Sequence, residues 1–257
     1  MEERFQMKTM PLGNPKPRLL LYGGPGIGKT TFACQAPKAV LIPTEKGAHG
    51  IDVMKVPNQG ICKNWNEVLK ALNTLIEEEH DREWVIVDTI SGAEKICSEH
   101  ICQRDFNGRW LPEPGQTGYL QWGQGDRATC GEFRRVLKAL DIIQEEKGMG
   151  VILLCHEGLQ KSANALGDDF QRFGGTMSKW TWAAVCEWCD QIGHATKDFV
   201  AVAEKGKPQA KAKQRGKERW IIFEGNPARD AKSRAGFEMP PRVQLSWDAY
   251  YKELIAK

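Results

Sequence analysis

One short stretch near the amino end constrains this chain more than any other. Residues 19–31 read Leu-Leu-Leu-Tyr-Gly-Gly-Pro-Gly-Ile-Gly-Lys-Thr-Thr, an apolar run followed by glycines, a lysine and two threonines. The pattern predicts a buried strand, a glycine-rich turn and the first turn of a helix, which is the setting that a G-x-x-x-x-G-K-[ST] match needs to indicate a phosphate-binding loop. We therefore expect a nucleotide here, with a flexible turn beside an exposed lysine as the structural alternative.

Each residue type in this loop has a physical task. Glycines let backbone N–H groups point inward around phosphate oxygens, the helix N-terminus adds a partial positive charge, and Lys29 adds a full one. The hydroxyl of Thr30 is a suitable ligand for Mg²⁺. The residues expected to contact the nucleotide are Gly23, Gly24, Pro25, Gly26, Ile27, Gly28, Lys29, Thr30 and Thr31.

Composition excludes several classes of protein. The formal net charge is only +3, so bulk attraction to nucleic acid is excluded and any such binding requires local patches. The eight cysteines are scattered, which favours reduced thiols in a reducing compartment. No stretch approaches the roughly 18 to 20 apolar residues of a membrane span, and residues 1–17 do not resemble a signal peptide. We expect a soluble intracellular protein with one domain over residues 1–257 and an N-terminal extension over residues 1–17.

Apolar runs alternate with helical patterns along the chain. Runs at 18–22, 39–42, 84–89 and 151–156 predict strands, and amphipathic patterns at 64–79 and 126–147 predict helices. This alternation predicts an α/β fold with a mostly parallel sheet flanked by helices. Residues 190–199 and 219–223 predict a C-terminal antiparallel hairpin with a basic tip at 204–218. Residues 104–125 and 158–175 are predicted to be long loops.

Three polar residues follow or end the predicted strands. Asp88 ends an apolar strand, as a Walker B carboxylate does, and would hold Mg²⁺ opposite Thr30. Glu45 ends the second strand and is the candidate base for an attacking water, while His156 ends the fourth and is a candidate contact for the γ-phosphate. The alternatives are a solvated aspartate, a glutamate paired with a surface lysine, and a histidine with an ordinary structural partner.

These segments together carry a resemblance. Gly-Pro-Gly-Ile-Gly-Lys-Thr-Thr-Phe-Ala at 24–33, Pro-Thr-Glu-Lys-Gly at 43–47, Val-Ile-Val-Asp-Thr at 85–89 and Leu-Leu-Cys-His at 153–156 resemble the RecA-like P-loop ATPases. They are similar in particular to the short phage ATP-binding proteins that act in single-strand annealing and recombination. The resemblance implies Glu45 as the catalytic glutamate and a sensor at position 156, where the family often has glutamine and this chain has histidine.

The resemblance also implies partners. It implies ATP and Mg²⁺ as cofactors, single-stranded DNA as a partner, and a homo-oligomeric ring or filament, with a single-strand-binding protein as a further candidate partner. If the chain is phage-encoded, it would act in the cytoplasm of the bacterial host. No membrane partner is expected.

A late segment resembles a second group of relatives. Residues 230–236 read Asp-Ala-Lys-Ser-Arg-Ala-Gly and are similar to the Lys-x-Arg-x-Gly segment of DnaB-type hexameric helicases. That resemblance implies that Lys232 and Arg234 reach the nucleotide of a neighbouring subunit, so that the active sites lie between subunits. A solvated basic turn is the alternative.

Nucleic-acid contact is predicted for the two long loops. In RecA-like proteins the corresponding loops line the DNA path, and both loops here mix cations with flat rings on which single strands can stack. The alternative is that the rings are packing residues, and the basic tip at 204–218 is a second candidate surface. The residues proposed to contact DNA are Arg104, Arg109, Trp110, Trp122, Lys161 and Arg172, accompanied by Phe106, Tyr119, Arg127 and Phe173.

A pair of closely spaced cysteines is a candidate metal site. Cys186-x-x-Cys189 with nearby His194 lacks the four paired ligands of a structural zinc site, so we favour buried thiols there.

The favoured function is a Mg-ATP-dependent ATPase acting on single-stranded DNA. A DNA-annealing protein with incidental hydrolysis and a P-loop kinase of a small metabolite remain the alternatives.

Overall fold

A computed structural model describes residues 16–47, 50–57, 60–162, 167–202, 211–234 and 240–254. Most of the predicted N-terminal extension, residues 204–210 of the predicted basic tip and Gly236 lie outside the described residues. The strands are β1 (Arg18–Gly23), β2 (Ala39–Pro43), β3 (Met54–Lys55), β4 (Trp84–Asp88), β5 (Gly150–Ser162), β6 (Phe170–Gly175), β7 (Gln191–Val202), β8 (Lys211–Ile222), β9 (Lys232–Ser233) and β10 (Arg242–Gln244). The helices are α1 (Lys29–Cys34), α2 (Trp65–Glu77), α3 (Ile90–Phe106), α4 (Gln124–Lys147), α5 (Lys179–Trp188) and α6 (Trp247–Leu254).

The strands form one sheet in the order β10-β8-β7-β1-β5-β4-β2-β3. Strands β7, β1, β5, β4, β2 and β3 run parallel, whereas β8 and β10 are antiparallel additions at one edge. Strand β5 lies between β1 and β4, so the strand before the phosphate loop and the strand that ends in Asp88 both border it. The predicted α/β fold with a mostly parallel sheet and a C-terminal antiparallel hairpin is confirmed.

Helices cover both faces of the sheet, and β1 shows how its sequence allows this. Because successive side chains of a strand point to opposite faces, Leu20 and Tyr22 pack with the core under helices α2 to α5, while Leu19 and Leu21 pack under α1 and α6. All four side chains are fully buried. A strand buried on both faces needs the continuous apolar run that the sequence has.

Local sequence signals place the helix ends. The Asn64 side chain accepts a hydrogen bond from the Glu67 backbone N–H at 3.0 Å, and the Glu67 carboxylate accepts one from the Lys63 backbone N–H at 2.7 Å. This reciprocal capping is the predicted start of α2. Gly148 has a φ of 63° and ends α4, as a glycine after a helix commonly does.

The structure corrects both predicted loops. Residues 104–106 belong to the last turn of α3, and Phe106 and Tyr119 are buried in the core. The strand predicted to end at His156 continues to Ser162, and residues 158–175 include much of an antiparallel hairpin, β5–β6, in which Leu159 pairs with Phe173. The hairpin escaped detection because both of these side chains are substantially exposed, which leaves no one-sided apolar pattern.

No helix among the described residues combines the length and apolar character needed to cross a lipid bilayer.

Candidate active site

The phosphate loop joins β1 to α1 and has the backbone that its glycines allow. Gly26 has a φ of 71° and Gly28 a φ of 109°, conformations that side chains with a Cβ rarely adopt. Gly28 is also the N-cap of α1, and no side chain caps that helix end. The first backbone N–H groups of α1 are therefore available to an anion.

Lys29 is buried at the base of this loop. Its Nζ donates hydrogen bonds to the carbonyl oxygens of Gly23 at 2.7 Å and Gly24 at 3.1 Å. Burial lowers the pKa of Lys29, although the nearby charge of Asp88 acts in the opposite direction. A phosphate entering the loop would supply the negative charge that this buried ammonium lacks.

Thr30 and Asp88 lie side by side at the end of β4. The Thr30 hydroxyl donates to Asp88 Oδ2 at 2.9 Å. Burial raises the pKa of Asp88, the Thr30 hydrogen bond lowers it, and the charge of Glu45 raises it further. A hydroxyl and a carboxylate in contact are hard oxygen donors of the kind that Mg²⁺ prefers, so the two residues fit a magnesium site.

Glu45 and His156 form a carboxylate–imidazole pair next to Asp88. Glu45 Oε2 and His156 Nε2 are 2.8 Å apart, and the other oxygen, Glu45 Oε1, accepts a hydrogen bond from the Thr89 hydroxyl. Burial would raise the pKa of Glu45, but the hydrogen bonds from His156 and Thr89 outweigh burial and lower it. The carboxylate is thus ionised at neutral pH and able to accept a proton.

Two threonines hold this pair, and the sequence analysis gave them no role. The Thr44 hydroxyl donates to the Thr89 carbonyl at 2.7 Å and accepts from the Thr89 N–H at 2.9 Å. These bonds fasten the end of β2 to the residue that follows β4, and the peptide bond between Asp88 and Thr89 is cis. Thr44 precedes Glu45 and Thr89 follows Asp88 in the sequence, and this adjacency is the signal that could have identified them.

Cavity size does not identify the site. A cleft of about 700 Å³ lies at the sheet edge between β3 and α2, and none of the predicted site residues lines it. The cleft beside the phosphate loop has about 230 Å³ and is lined by residues 24–27, Glu157 and residues 195–197. We assign the site from its chemistry, because the smaller cleft borders the phosphate loop and the larger borders no predicted motif.

Lys232 and Arg234 lie far from the phosphate loop of their own chain. Strand β9 pairs with Gln191 and Ile192 at the start of β7, beside the amino end of β1, whereas Ala195 further along β7 pairs with Gly23 at the start of the loop. The Lys232 ammonium donates to the carbonyl of Cys186, and Arg234 Nη2 donates to the carbonyl of Glu187 at 3.0 Å. Both cations thus bind the carboxyl-terminal end of α5, and contact with a neighbouring subunit stays a prediction.

The residues predicted to contact DNA have diverse surroundings. Arg104 forms ion pairs with Asp105 and Glu132 on the surface of α3 and α4, and Arg172 pairs with Asp230 at 3.1 Å. Lys161 is exposed on β5. Trp110 is partly exposed and packs against Tyr119, and the buried Nε of Arg109 has no hydrogen-bond partner in the described part of the chain.

Trp122 is joined through its backbone carbonyl to a cluster of Arg127, Lys179 and Trp180. It is 76% exposed and has a φ of 52°, a conformation that costs energy for a residue of this size. Arg127 donates to the Trp122 carbonyl at 3.2 Å, and its guanidinium lies 5.8 Å from the ring centre of Trp180. Lys179 lies 5.0 Å from the same ring. Sequence analysis missed Lys179 and Trp180 in this role because they begin a helix, α5.

The C-x-x-C pair lies at the end of α5. Cys189 is buried, Cys186 is partly buried, and burial raises the pKa of both thiols. Among the described residues, no group of three or more histidine, cysteine, aspartate or glutamate side chains has the arrangement of a metal site.

Comparison with known proteins connects this geometry to a family. A family profile described as AAA domain matches residues 15–235, which include the phosphate loop and strands β1 to β9. Among solved structures, the crystal structure of the RadB recombinase is similar, with 15% sequence identity, coverage of 92% of this chain and 90% of that chain, and a TM-score of 0.49. No curated protein matches the chain.

Proposed function

Because this chain belongs to the AAA domain family, we propose that it is a RecA-like ATPase that binds Mg-ATP and acts on single-stranded DNA in phage-type recombination or strand annealing. One observation carries the proposal. The ends of β2 and β4, the start of α1 and the point where β5 leaves β1 bring the Thr30–Asp88 pair and the Glu45–His156 pair beside the buried Lys29. This set contains a phosphate cradle, oxygen ligands for a cation and a base for water, as hydrolysis of a nucleoside triphosphate requires.

Binding would begin with a change of partner at Lys29. Its ammonium now donates to loop carbonyls, and a triphosphate would offer it a charged acceptor instead. Thr30 and Asp88 would hold Mg²⁺, which when bound neutralises negative charge on the phosphate oxygens. The N–H groups at the start of α1 would complete the cradle.

Hydrolysis needs a group that accepts a proton from the attacking water. Glu45 is ionised, and its Oε2 lies 2.8 Å from Nε2 of His156. The Thr89 hydroxyl fixes the second oxygen, so the carboxylate has one preferred orientation. As water attacks the γ-phosphoryl group, its proton would pass to Glu45 and the bond to the leaving diphosphate would break.

The inter-subunit part of the proposal assigns Lys232 and Arg234 to a neighbour's nucleotide. A complementation experiment tests it. Neither Glu45→Gln nor the double variant K232A/R234A should hydrolyse ATP alone, but mixed oligomers should recover activity, since some interfaces would combine an intact Glu45 with an intact cation pair. If mixing restores nothing although mixed oligomers form, the two residues act only within their own chain, where they bind the end of α5.

The DNA part of the proposal is supported by the cluster of Trp122, Arg127, Lys179 and Trp180. The Trp122 side chain is 76% exposed and held in a costly backbone conformation, and the neighbouring Trp180 ring has Arg127 and Lys179 beside it; exposed rings and cations of this kind suit the stacking of unpaired bases. Arg104, Arg109, Trp110, Lys161 and Arg172 remain proposed contacts beyond this cluster.

ATPase rates with and without single-stranded DNA, measured over a salt series, test the proposal. We expect stimulation that weakens with salt, since phosphate contacts release counterions. Trp122→Ala should reduce stimulation while leaving the DNA-free rate unchanged, and Trp188→Phe, on the far end of α5, is the matched control. Stimulation by a small metabolite instead of DNA would favour a kinase, and annealing that survives in Glu45→Gln would make hydrolysis incidental.

A further inference from the structure

A cation outside every predicted motif touches the phosphate loop. Arg219 lies on β8, and its Nη1 donates a hydrogen bond to the carbonyl oxygen of Ile27 at 2.9 Å. The two residues are 192 positions apart in the chain. The sequence analysis assigned Arg219 only to a strand of the C-terminal hairpin.

The backbone of Arg219 is fixed from both sides. It is opposite Lys197 in the β7–β8 pairing, and its carbonyl accepts a hydrogen bond from the Leu245 N–H at 2.8 Å. The guanidinium therefore projects from a strand within the sheet, and Arg219 as a residue is exposed to solvent. A group held in this way can restrain the loop that it touches.

The restraint acts on the peptide unit that joins Ile27 to Gly28. That peptide is trans, so its carbonyl and its N–H point in opposite directions. A charged donor on the Ile27 carbonyl consequently aims the Gly28 N–H away from β8. Gly28 has a φ of 109° and is the N-cap of α1, and no side chain forms a capping hydrogen bond at this helix end.

We propose that Arg219 is a positioning residue of the nucleotide site, which fixes the Ile27–Gly28 peptide for binding of the polyphosphate moiety. The inference rests on the proposed nucleotide site. It assigns Arg219 to the phosphates and not to the base, because its contact is with the loop. The root of the C-terminal hairpin is thereby part of the phosphate site.

Calorimetric titration with Mg-ATP and with Mg-tripolyphosphate tests the assignment. Arg219→Gln should raise the Kd of both ligands about tenfold, the size of one hydrogen bond from a charged group. At saturating ATP the kcat should fall less than about threefold, because the chemical groups are untouched. Arg219→Lys, which keeps the charge but loses the planar fork, should recover part of the affinity.

The control is Arg242→Gln on the adjacent strand β10. Arg242 pairs with Asp198 and lies 4.2 Å from the ring centre of Trp220, but it does not touch the phosphate loop. It should bind both ligands with the wild-type Kd. Thermal unfolding without ligand checks that each variant folds.

Three outcomes would overturn the inference: wild-type affinity in Arg219→Gln, an equal loss in Arg242→Gln, or a loss for ATP alone. They leave the proposed nucleotide site standing as long as the wild-type protein binds ATP. If the wild-type protein binds neither ligand, the proposed site itself fails.

Discussion

Two carboxylate–imidazole pairs flank the middle of β5, and they differ in burial. Glu45 and His156 are 2.8 Å apart, with side chains 37% and 39% exposed. Glu157 and His194 are 2.7 Å apart, but the His194 side chain is only 4% exposed. Because His156 and Glu157 are consecutive in a strand, they point to opposite faces and each joins a different pair.

The surroundings of the second pair explain the difference. The His194 ring stacks between Tyr22 at 4.7 Å and Phe173 at 5.4 Å, so it joins β1, β7 and the β5–β6 hairpin. The first pair has an open side and lies next to Asp88 and the phosphate loop. Identical chemical groups thus differ in their surroundings, since the first pair is open to solvent and the second pair joins strands.

The largest expected effect is at Glu45. Glu45→Gln keeps the size of the side chain but removes the base, so kcat for ATP hydrolysis should fall about a thousandfold. Steady-state ATPase assays measure this fall, and calorimetry should give a Kd for Mg-ATP within about threefold of wild type. A variant that keeps more than a tenth of wild-type kcat would show that the open pair does not act on water.

Much of this site follows from local sequence. A polar residue that follows an apolar run is a short-range sequence pattern. Because parallel strands have their carboxyl ends at one edge of the sheet, Glu45, Asp88 and His156 could be predicted to lie close together. The phosphate loop needs only thirteen consecutive residues. The contact between Arg219 and Ile27 has no local signature at all, because the sheet order alone brings the two residues together.

The missed elements have two different physical causes. Helix α3 had no predicted counterpart, and its buried positions include the carboxylate of Glu94, which accepts hydrogen bonds from Ser178 and thus interrupts the apolar stripe. The β5–β6 hairpin keeps Leu159 exposed. Hydrophobic periodicity fails to predict α3 because the fold gives a buried polar residue a partner. It fails to predict the hairpin because an apolar residue stays exposed.

The second prediction uses the buried pair. His194→Ala removes a stacked ring and leaves Glu157 without its partner, so the free energy of unfolding should fall by about 2 to 4 kcal/mol. His156→Ala should cost less than about 1 kcal/mol, because that ring is half exposed. Urea denaturation of both variants provides the comparison, and equal losses would contradict the distinction between the pairs.

The third prediction concerns pH. Hydrogen bonds from His156 and Thr89 keep the pKa of Glu45 below its ordinary value of 4.5 against the effect of burial. His156→Leu removes the first of these bonds, so the pKa rises and protonation, which silences the base, sets in at a higher pH. The acid limb of the kcat profile should therefore shift to higher pH, and the loss of kcat should be largest on that limb.

His156→Gln is the control for this shift, since its side-chain amide can still donate to Glu45. It should keep the acid limb close to that of wild type. An unchanged acid limb in His156→Leu would mean that the Glu45–His156 bond does not set the protonation of the base.

The smallest effect is expected from repeating the glutamine substitution at the buried pair. In the native protein, one hydrogen bond joins the Glu157 carboxylate to Nε2 of the His194 ring. In Glu157→Gln the amide oxygen can still accept that hydrogen bond. Stability should change by less than about 1 kcal/mol and kcat by less than about threefold. Glu157 also borders the cleft beside the phosphate loop, so the result is informative in both directions.

A loss of turnover as large as that of Glu45→Gln, with normal unfolding, would make Glu157 a second functional carboxylate and remove the contrast between the pairs. A small effect would show that one chemical change has different consequences on the two faces of β5, and that access to the nucleotide decides which.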